Sequence, residues 1–329
     1  MKHHIQKDSN IIHIIEAAAI ESFMQDKVKM IRYDHDFDAR QWQRYIECET
    51  GFILPNIQYN WLENAVIQTA LSYGLTSVQL WQQLPFHDEL RQRLLDKALI
   101  HESRFFRHLP SIDFVTECAE QHQRRKLTTD DTSEMFRIWS VGCASGEETW
   151  SLAMSLAAKQ LSNYTILGTD VSQQVLAKAR LGQYDDEQQS LIPPYCQQFV
   201  QPLQPAIIDD EASVGNAYLS RINVSRTNVS SSYAYWQITA TLKSQVRFAL
   251  HNIMDEKPPT AHLQQVIVCQ NVLLYFRKFD QRDILARLSK QCALGGYIIL
   301  APGEALFWRP SNMRRIAHPQ INAWQKIST

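Results

Sequence analysis

The stretch Ile138–Ala157, IWSVGCASGEETWSLAMSLA, constrains the fold more than any other part of the chain. Ile138 to Val141 is a short, mostly apolar run suited to a buried strand. Gly142, Ser145 and Gly146 make a turn of small residues, and beyond it Trp150, Leu152, Ala153 and Leu156 fall at helical spacing. Strand, tight turn and helix together form the opening unit of a ligand crevice in an open α/β sheet. Glu147 and Glu148 at the helix start narrow the choice of ligand. A helix N-terminus favours anions and commonly holds a phosphate, but two carboxylates at that point repel a pyrophosphate. A positively charged ligand fits better than a dinucleotide or a nucleoside triphosphate, and S-adenosylmethionine carries both a sulfonium and an ammonium.

Downstream, strands and helices alternate. Tyr164–Gly168 reads as a strand ending at Asp170, Val175–Arg180 as a helix, and Val246–Leu250 as a strand leading to Asn252. Val266–Cys269 is a strand followed by Gln270 and Asn271, Asp280–Cys292 a helix closed by Gly295–Gly296, and Tyr297–Leu300 the last clear strand. Such alternation predicts a parallel, doubly wound sheet from residue 136 to the end. Ligands sit at the carboxyl ends of such strands, where Gly142, Asp170, Asn252 and Asn271 fall. A carboxylate roughly 20 residues beyond a glycine turn, here Asp170, is placed to grip ribose hydroxyls. Between residues 201 and 245 the alternation breaks. Two β-like runs, Ala217–Val224 and Tyr235–Leu242, flank the polar SRTNVSSS, which predicts an antiparallel insertion, either a holder for a partner or a loop without a role.

The N-terminal part is different. Residues 1–34 contain IIHIIEAAAIESFM, a short helix packed on the next domain; the neighbouring histidines lack further ligands, so no metal site is expected. Residues 35–112 predict a small all-helical domain, with helices over Gln41–Cys48, Trp61–Ser72, Val78–Gln83 and Leu90–His101, stops at Gly51 and Gly74, and an N-cap at Thr76. In ESRFFR, adjacent phenylalanines on a helix point about 100° apart. One of Phe105 and Phe106 is then free to line a pocket and hold Arg107 by packing, the plain alternative being a surface arginine at a helix end. Residues 113–135 are polar and read as a linker, whether or not part of it is helical.

With 329 residues the chain has room for two domains. A net charge of -1 argues against nucleic acid as the main partner, because a phosphate backbone calls for a basic surface. The cysteines show no CxxC and no metal-ligand spacing, and Cys143 and Cys269, beside predicted strands, read as buried free thiols. No apolar run approaches the ~18–20 residues of a membrane span. MKHHIQKDSN lacks the organisation of a signal peptide, so a cytoplasmic protein without direct membrane insertion is expected.

These residues carry a resemblance to a known family. ESRFFR resembles the ETxFFR signature of the CheR-type chemoreceptor methyltransferases, SVGCASGEETWSLAM their glycine-and-acid loop, and LGTDVSQQVLAKAR their second strand. HNIMD is similar to their NLL segment, CQNVLLYF to CRNVxIYF, and LGGYIILAPGEAL to the final strand, all in the family's order from about Trp42 to Leu306. The resemblance implies a helical N-terminal domain, a Rossmann-like S-adenosylmethionine-dependent methyltransferase domain and a small antiparallel β insertion. It implies methyl transfer to glutamates in the cytoplasmic helical domain of a chemoreceptor, by a monomer that uses no metal. The longer N-terminus and enlarged insertion look more like the branch tied to type IV pilus chemosensory systems and twitching motility.

Carried over by position, the resemblance places the cofactor against His101, Ser103, Arg107, Glu148, Asp170, Asn252, Ile253, Gln270 and Asn271, with Arg107 and Tyr275 lining the transfer site. In these roles Asn252 bonds the adenine edge, Ile253 packs on its face, and Glu148 places negative charge near the cationic ligand. The sequence departs from the family at His101 for Asn, Ser103 for Thr, Ser172 for the second acid of TDID, and Gln270 for Arg. Gln270 can donate to the cofactor's carboxylate but brings no charge. Alternatives are a non-catalytic module that binds S-adenosylmethionine or docks receptors, and a methyltransferase with another acceptor. The CQNVLLYF segment, lacking the Asn/Asp-Pro-Pro-aromatic pattern, argues against a nucleic-acid acceptor.

Overall fold

The computed structural model describes residues 38–54, 59–128, 135–203 and 235–328. The expected helix within residues 1–34, the run Ala217–Val224 and the tip after it lie outside the described residues.

The described residues open with four α-helices, α1 Ala39–Thr50, α2 Tyr59–Ser72, α3 Ser77–Gln83 and α4 Asp88–Ala98. Each has a local cause. The Asp38 carboxylate accepts from the backbone N–H groups of Arg40 and Gln41 at the start of α1, and Gly51 ends it in the left-handed conformation at φ 76°. Thr76 and Gln79 form a reciprocal capping box on α3. Trp42, Ile46, Leu62, Val66, Leu80, Leu90 and Leu94 bury one face of each helix in a shared core, where Trp42 meets Trp81 edge to face at 5.0 Å.

A fifth helix, α5 Leu109–Thr128, runs through the first part of the expected linker, whose helicity the sequence leaves open, and it is packed on the sheet rather than joining two domains loosely. Ile112, Val115, Cys118 and Ala119 fall on one face and pack into the same core as strand residues Ile138, Ile166 and Val268. Glu117, Gln121, Gln123, Arg124 and Arg125 are exposed and give the stretch its polar composition, and the apolar stripe begins before the stretch that reads as a linker.

The main sheet consists of β1 Phe136–Val141, β2 Tyr164–Asp170, β6 Val246–Leu250, β7 Gln264–Cys269, β8 Cys292–Leu300, β9 Met313–Arg315 and β10 Asn322–Lys326, with α6 Glu147–Ala158, α7 Gln173–Leu181 and α8 Lys278–Gln291 between strands. The order is β6-β2-β1-β7-β8-β10-β9. The first five strands are parallel, and Ile138 sits opposite Ile166 on one side and Val266 on the other. β10 runs antiparallel to β8 and β9 antiparallel to β10. The five parallel strands are the expected Rossmann-like arrangement, with its topological switch between β1 and β7, while the antiparallel β9 and β10 correct the expectation of a parallel sheet that ends at Leu300. Gly295 and Gly296 do not close the preceding helix. They lie inside β8 where the register with β7 shifts, Gly295 at φ 75° and Gly296 so close to β7 that a Cβ would stand 2.7 Å from the Gln265 carbonyl oxygen.

The antiparallel part begins earlier than the expected residue 201: β3 Gln183–Asp185, β5 Tyr235–Ile238 and β4 Val200–Pro202 form a separate three-stranded sheet in the order β3-β5-β4. The run Tyr235–Leu242 is thus a strand only to Ile238; a short helix, Ala240–Lys243, comes after it.

Candidate functional site

The parallel strands β2, β1 and β7 end side by side, and the cleft at their carboxyl ends, about 1230 Å³ counted to its open mouth, is walled by residues from both halves of the chain. His101, Ser103, Arg107, Glu148, Asp170, Asn252, Ile253, Gln270, Asn271 and Tyr275 all line it. Positions spread over the sequence from 101 to 275 are thereby gathered in one place.

The floor is built by the glycine turn. Gly142 leaves β1 at φ 65°, and a Cβ there would stand 2.5 Å from Val272 Cγ2. Gly146 turns into α6 at φ 95° with Ala179 against it. The two carboxylates of the turn part company. Glu147 is buried on the core side and accepts from Ser145 Oγ at 2.7 Å. Glu148 faces the cleft and accepts from Ser140 Oγ at 2.8 Å. Burial pushes its carboxyl up to about 7, against the pull of Ser140 and of the Arg107 guanidinium. A cationic ligand opposes that shift by favouring the ionised form, and this chemistry fits S-adenosylmethionine.

Asp170, at the end of β2, is fixed by backbone donors. Ala144 N–H reaches Oδ2 at 2.9 Å and Ser172 N–H reaches Oδ1 at 3.0 Å, leaving further lone pairs for a ligand. His101 Nδ1 lies 3.9 Å from Asp170 Oδ1. Burial lowers the His101 pKa and raises that of Asp170, outweighing their mutual attraction. His101 Nε2 is buried without a partner.

Other expectations are corrected. Residues 101–108 are a turn segment, not a helix, and α4 ends at Ala98. Phe106 has φ 51°, and its N–H donates to Ser151 Oγ at 2.9 Å. That backbone sends both phenylalanines to one core: Phe105 is buried against Tyr184 and Trp236 at ring distances of 4.9 and 5.3 Å, with Phe106 beside it. Neither lines the cleft. Arg107 is not held by aromatic packing; it is exposed, with Nη1 donating to the Glu102 carbonyl at 3.2 Å. Gln270 Nε2 donates to Ser111 Oγ at 2.9 Å and to the Leu300 carbonyl at 3.3 Å, so both its hydrogens are engaged by protein and none points to a ligand carboxylate. Asn252 ties two parts of the chain together: its Nδ2 donates to the Glu49 carbonyl at 2.8 Å, and its Oδ1 accepts from Met254 N–H at 2.9 Å. One amide hydrogen remains for a ligand.

Sequence reasoning missed two contributions. Phe52, Ile53 and Leu54, just beyond Gly51, form a strap on the cleft wall, pinned where Ile53 N–H meets the Tyr275 carbonyl at 2.7 Å. The Tyr275 ring stacks edge-on against Phe52 at 5.4 Å, and burial raises its hydroxyl pKa, which keeps it a donor at neutral pH. The signal was an apolar run directly after a helix-stopping glycine. The other is Glu304, whose Oε2 accepts from the N–H groups of Asn271 (φ 59°) and Ala301 and holds the loop after β7. No local pattern marks it.

Residues 101–321 match the family model described as CheR methyltransferase, SAM binding domain. A chemotaxis protein methyltransferase of Borreliella burgdorferi is 28% identical over 219 residues, 65% of this chain and 67% of its own length. Chemotaxis protein methyltransferase 1 of Pseudomonas aeruginosa is 25% identical over 288 residues, 85% of this chain and 94% of its own. Among solved structures, magnesium protoporphyrin IX methyltransferase from Synechocystis PCC 6803 with bound SAM is 11% identical, with a TM-score of 0.33 over 80% of this chain and 97% of that one.

Proposed function

The chain belongs to the CheR methyltransferase family, and from that membership we propose that it methylates glutamate side chains in the cytoplasmic helical domain of a chemoreceptor. The observation that carries the reading is the cleft itself, where two acidic residues, Glu148 and Asp170, share one lining with the exposed Arg107 and with Tyr275. S-adenosylmethionine, when bound, supplies the methyl group and the sulfur that leaves with the bonding electron pair. Glu148 favours its positive charge, Asp170 accepts from its ribose, and Ile253 packs on its adenine. The cofactor carboxylate is left to groups other than Gln270.

A substrate glutamate is already ionised at neutral pH, so no general base is needed. What the protein supplies is orientation and removal of water from the nucleophile. Arg107 aligns the carboxylate by a two-pronged hydrogen bond, and Tyr275 donates to its second oxygen. Arg107 is held by one carbonyl at the cleft mouth, which suits a grip loose enough to leave the attacking oxygen reactive. No described helix is long and apolar enough to cross a membrane. We assign the enzyme to the cytoplasm as a monomer, in an adaptation pathway of the kind that drives type IV pilus twitching.

A second reading, a cofactor-binding module that docks receptors without turnover, draws on the engagement of Gln270 by Ser111. The test is incubation with S-adenosylmethionine and the cytoplasmic domain of a chemoreceptor from the same organism, read by peptide mass spectrometry. Methyl increments on glutamates support the enzyme. Cofactor binding without increments on any receptor selects the module.

A further inference from the structure

Tyr275 reaches the cleft from a single turn, and that turn has no cap of its own. Leu273–Tyr275 is one turn of 3₁₀ helix, and Val272 before it offers no side-chain acceptor to the N–H groups at its start. The far end is served by α8, where Gln281 Nε2 donates to the Leu273 and Phe276 carbonyls at 2.9 Å each. The strap adds the Ile53 N–H on the Tyr275 carbonyl and the Phe52 ring against the Tyr275 ring.

The start of the turn is served from beyond β8, by Glu304. Its Oε2 accepts from Ala301 N–H at 2.9 Å and from Asn271 N–H at 3.2 Å. Burial raises the Glu304 pKa, and the N–H groups of Ala301, Asn271, Leu274 and Leu273 pull it down. Leu273 and Leu274 act through the field of their N–H dipoles, since Oε1 is buried without a hydrogen-bond partner. Asn271, Leu273 and Leu274 all belong to the segment that carries Tyr275, and Asn271 holds a left-handed φ of 59°. Glu304 is anchored in turn: Asn322 Nδ2 donates to its carbonyl at 2.8 Å and to that of Ala301 at 3.2 Å. A group that only accepts suits a place ringed by donors.

We infer that Glu304 is a positioning residue for methyl transfer: it caps the Leu273–Tyr275 turn from across the chain and so sets where Tyr275 meets the acceptor carboxylate. Glu304 is not among the residues that line the cleft, and it acts only through the turn. Its charge also reaches the Tyr275 hydroxyl, whose pKa it helps to raise. The role in transfer rests on the reading of Tyr275 as an acceptor contact; the hold on the turn does not.

The test is a double-mutant cycle on the full chain, with kcat measured at saturating S-adenosylmethionine and chemoreceptor domain. Glu304→Gln keeps the shape of the side chain but turns an NH2 group among donors. It and Tyr275→Phe are each expected to lower kcat ~10-fold or more. The double variant should fall within ~3-fold of the slower single one, because the hydroxyl that Glu304 places is already gone. Glu304→Asp, which keeps the charge but draws it back by one methylene, should also lose kcat, and it replaces Glu304→Gln in the cycle if that variant does not fold. Single losses that multiply in the double variant, or a kcat for both Glu304 variants within ~2-fold of the natural chain, overturn the role. Carbon-13 NMR of labelled tyrosines needs no turnover. Glu304→Gln should move the Tyr275 ring resonance, identified by its loss in Tyr275→Phe, more than those of Tyr164 and Tyr184 in the core. An unmoved Tyr275 resonance overturns the hold on the turn. Absence of transfer by the natural chain refutes the proposed function instead, and the resonance then still decides whether Glu304 places Tyr275.

Discussion

Glu148 is where the energetics and chemistry of the cleft meet. A carboxyl pushed up to about 7 favours its neutral form in the fold, so its contribution to stability is fullest below the ordinary glutamate range and is lost as pH rises through 7. Glu148→Gln should therefore stabilise the ligand-free chain at pH 8 by about 1–3 kcal/mol and make no difference near pH 4, as thermal melts can show. The same variant should bind S-adenosylmethionine at least ~10-fold more weakly at pH 8. In the natural chain, cofactor affinity should fall as pH drops below 7, by up to ~10-fold per pH unit, because a cation binds the ionised form. Arg107→Ala should abolish methyl transfer and leave cofactor affinity within ~3-fold in calorimetry, since its role is to orient the acceptor. Equal loss of both would refute that role. Gln270→Ala should cost little cofactor affinity, less than ~3-fold, because its hydrogens already serve Ser111 and Leu300. At this scale the sequence shows which residues reach the cleft but not how many of their hydrogen-bonding groups are free on arrival. The engagement of Gln270 and Asn252 depends on Ser111 and Glu49, distant partners that no spacing reveals.

Among the elements, the glycine turn leading into α6 sets the cleft floor. Gly142→Ala would require a left-handed alanine with its Cβ 2.5 Å from Val272 Cγ2. We expect a loss of about 1–3 kcal/mol in denaturant melts, with cofactor binding impaired in parallel. β1, β2 and β7 are legible as apolar runs because each is largely buried on both faces of a parallel sheet, whereas β6, at the sheet edge, is buried only at Val246. Helix α5 is not legible in this way, because among its described side chains the buried apolar stripe, Ile112 to Ala119, gives way to exposed polar residues that dominate the composition. The 101–108 turn also escapes a helical reading, since only its backbone, positive at Phe106, shows that both phenylalanines serve one core. In the small sheet β5 pairs with β3 and β4, strands that both precede the two expected β-like runs, a pairing that period-two alternation cannot specify.

Over the whole molecule, the helices before residue 99 are tied to the sheet by polar contacts around the cleft. Ser172 Oγ donates to Asp96 Oδ1 at 2.6 Å, Gln92 Nε2 to the Val171 carbonyl at 2.9 Å, and Arg277 pairs with Glu47 at 3.0 Å. Asp96→Ala should loosen this wall and raise the S-adenosylhomocysteine dissociation constant several-fold, about 3–10, by calorimetry. The division into a helical part and an α/β part is legible from the change in periodicity near residue 136; that the former closes the latter's cleft is not. The central claim is the nature of the bond made, and alkaline release of label tests it most directly. After tritiated methyl transfer from S-adenosylmethionine to the chemoreceptor domain, mild base should liberate the label as volatile methanol, the mark of a glutamyl methyl ester. Label that stays on the protein in base, as an N- or S-methyl group would, contradicts the account.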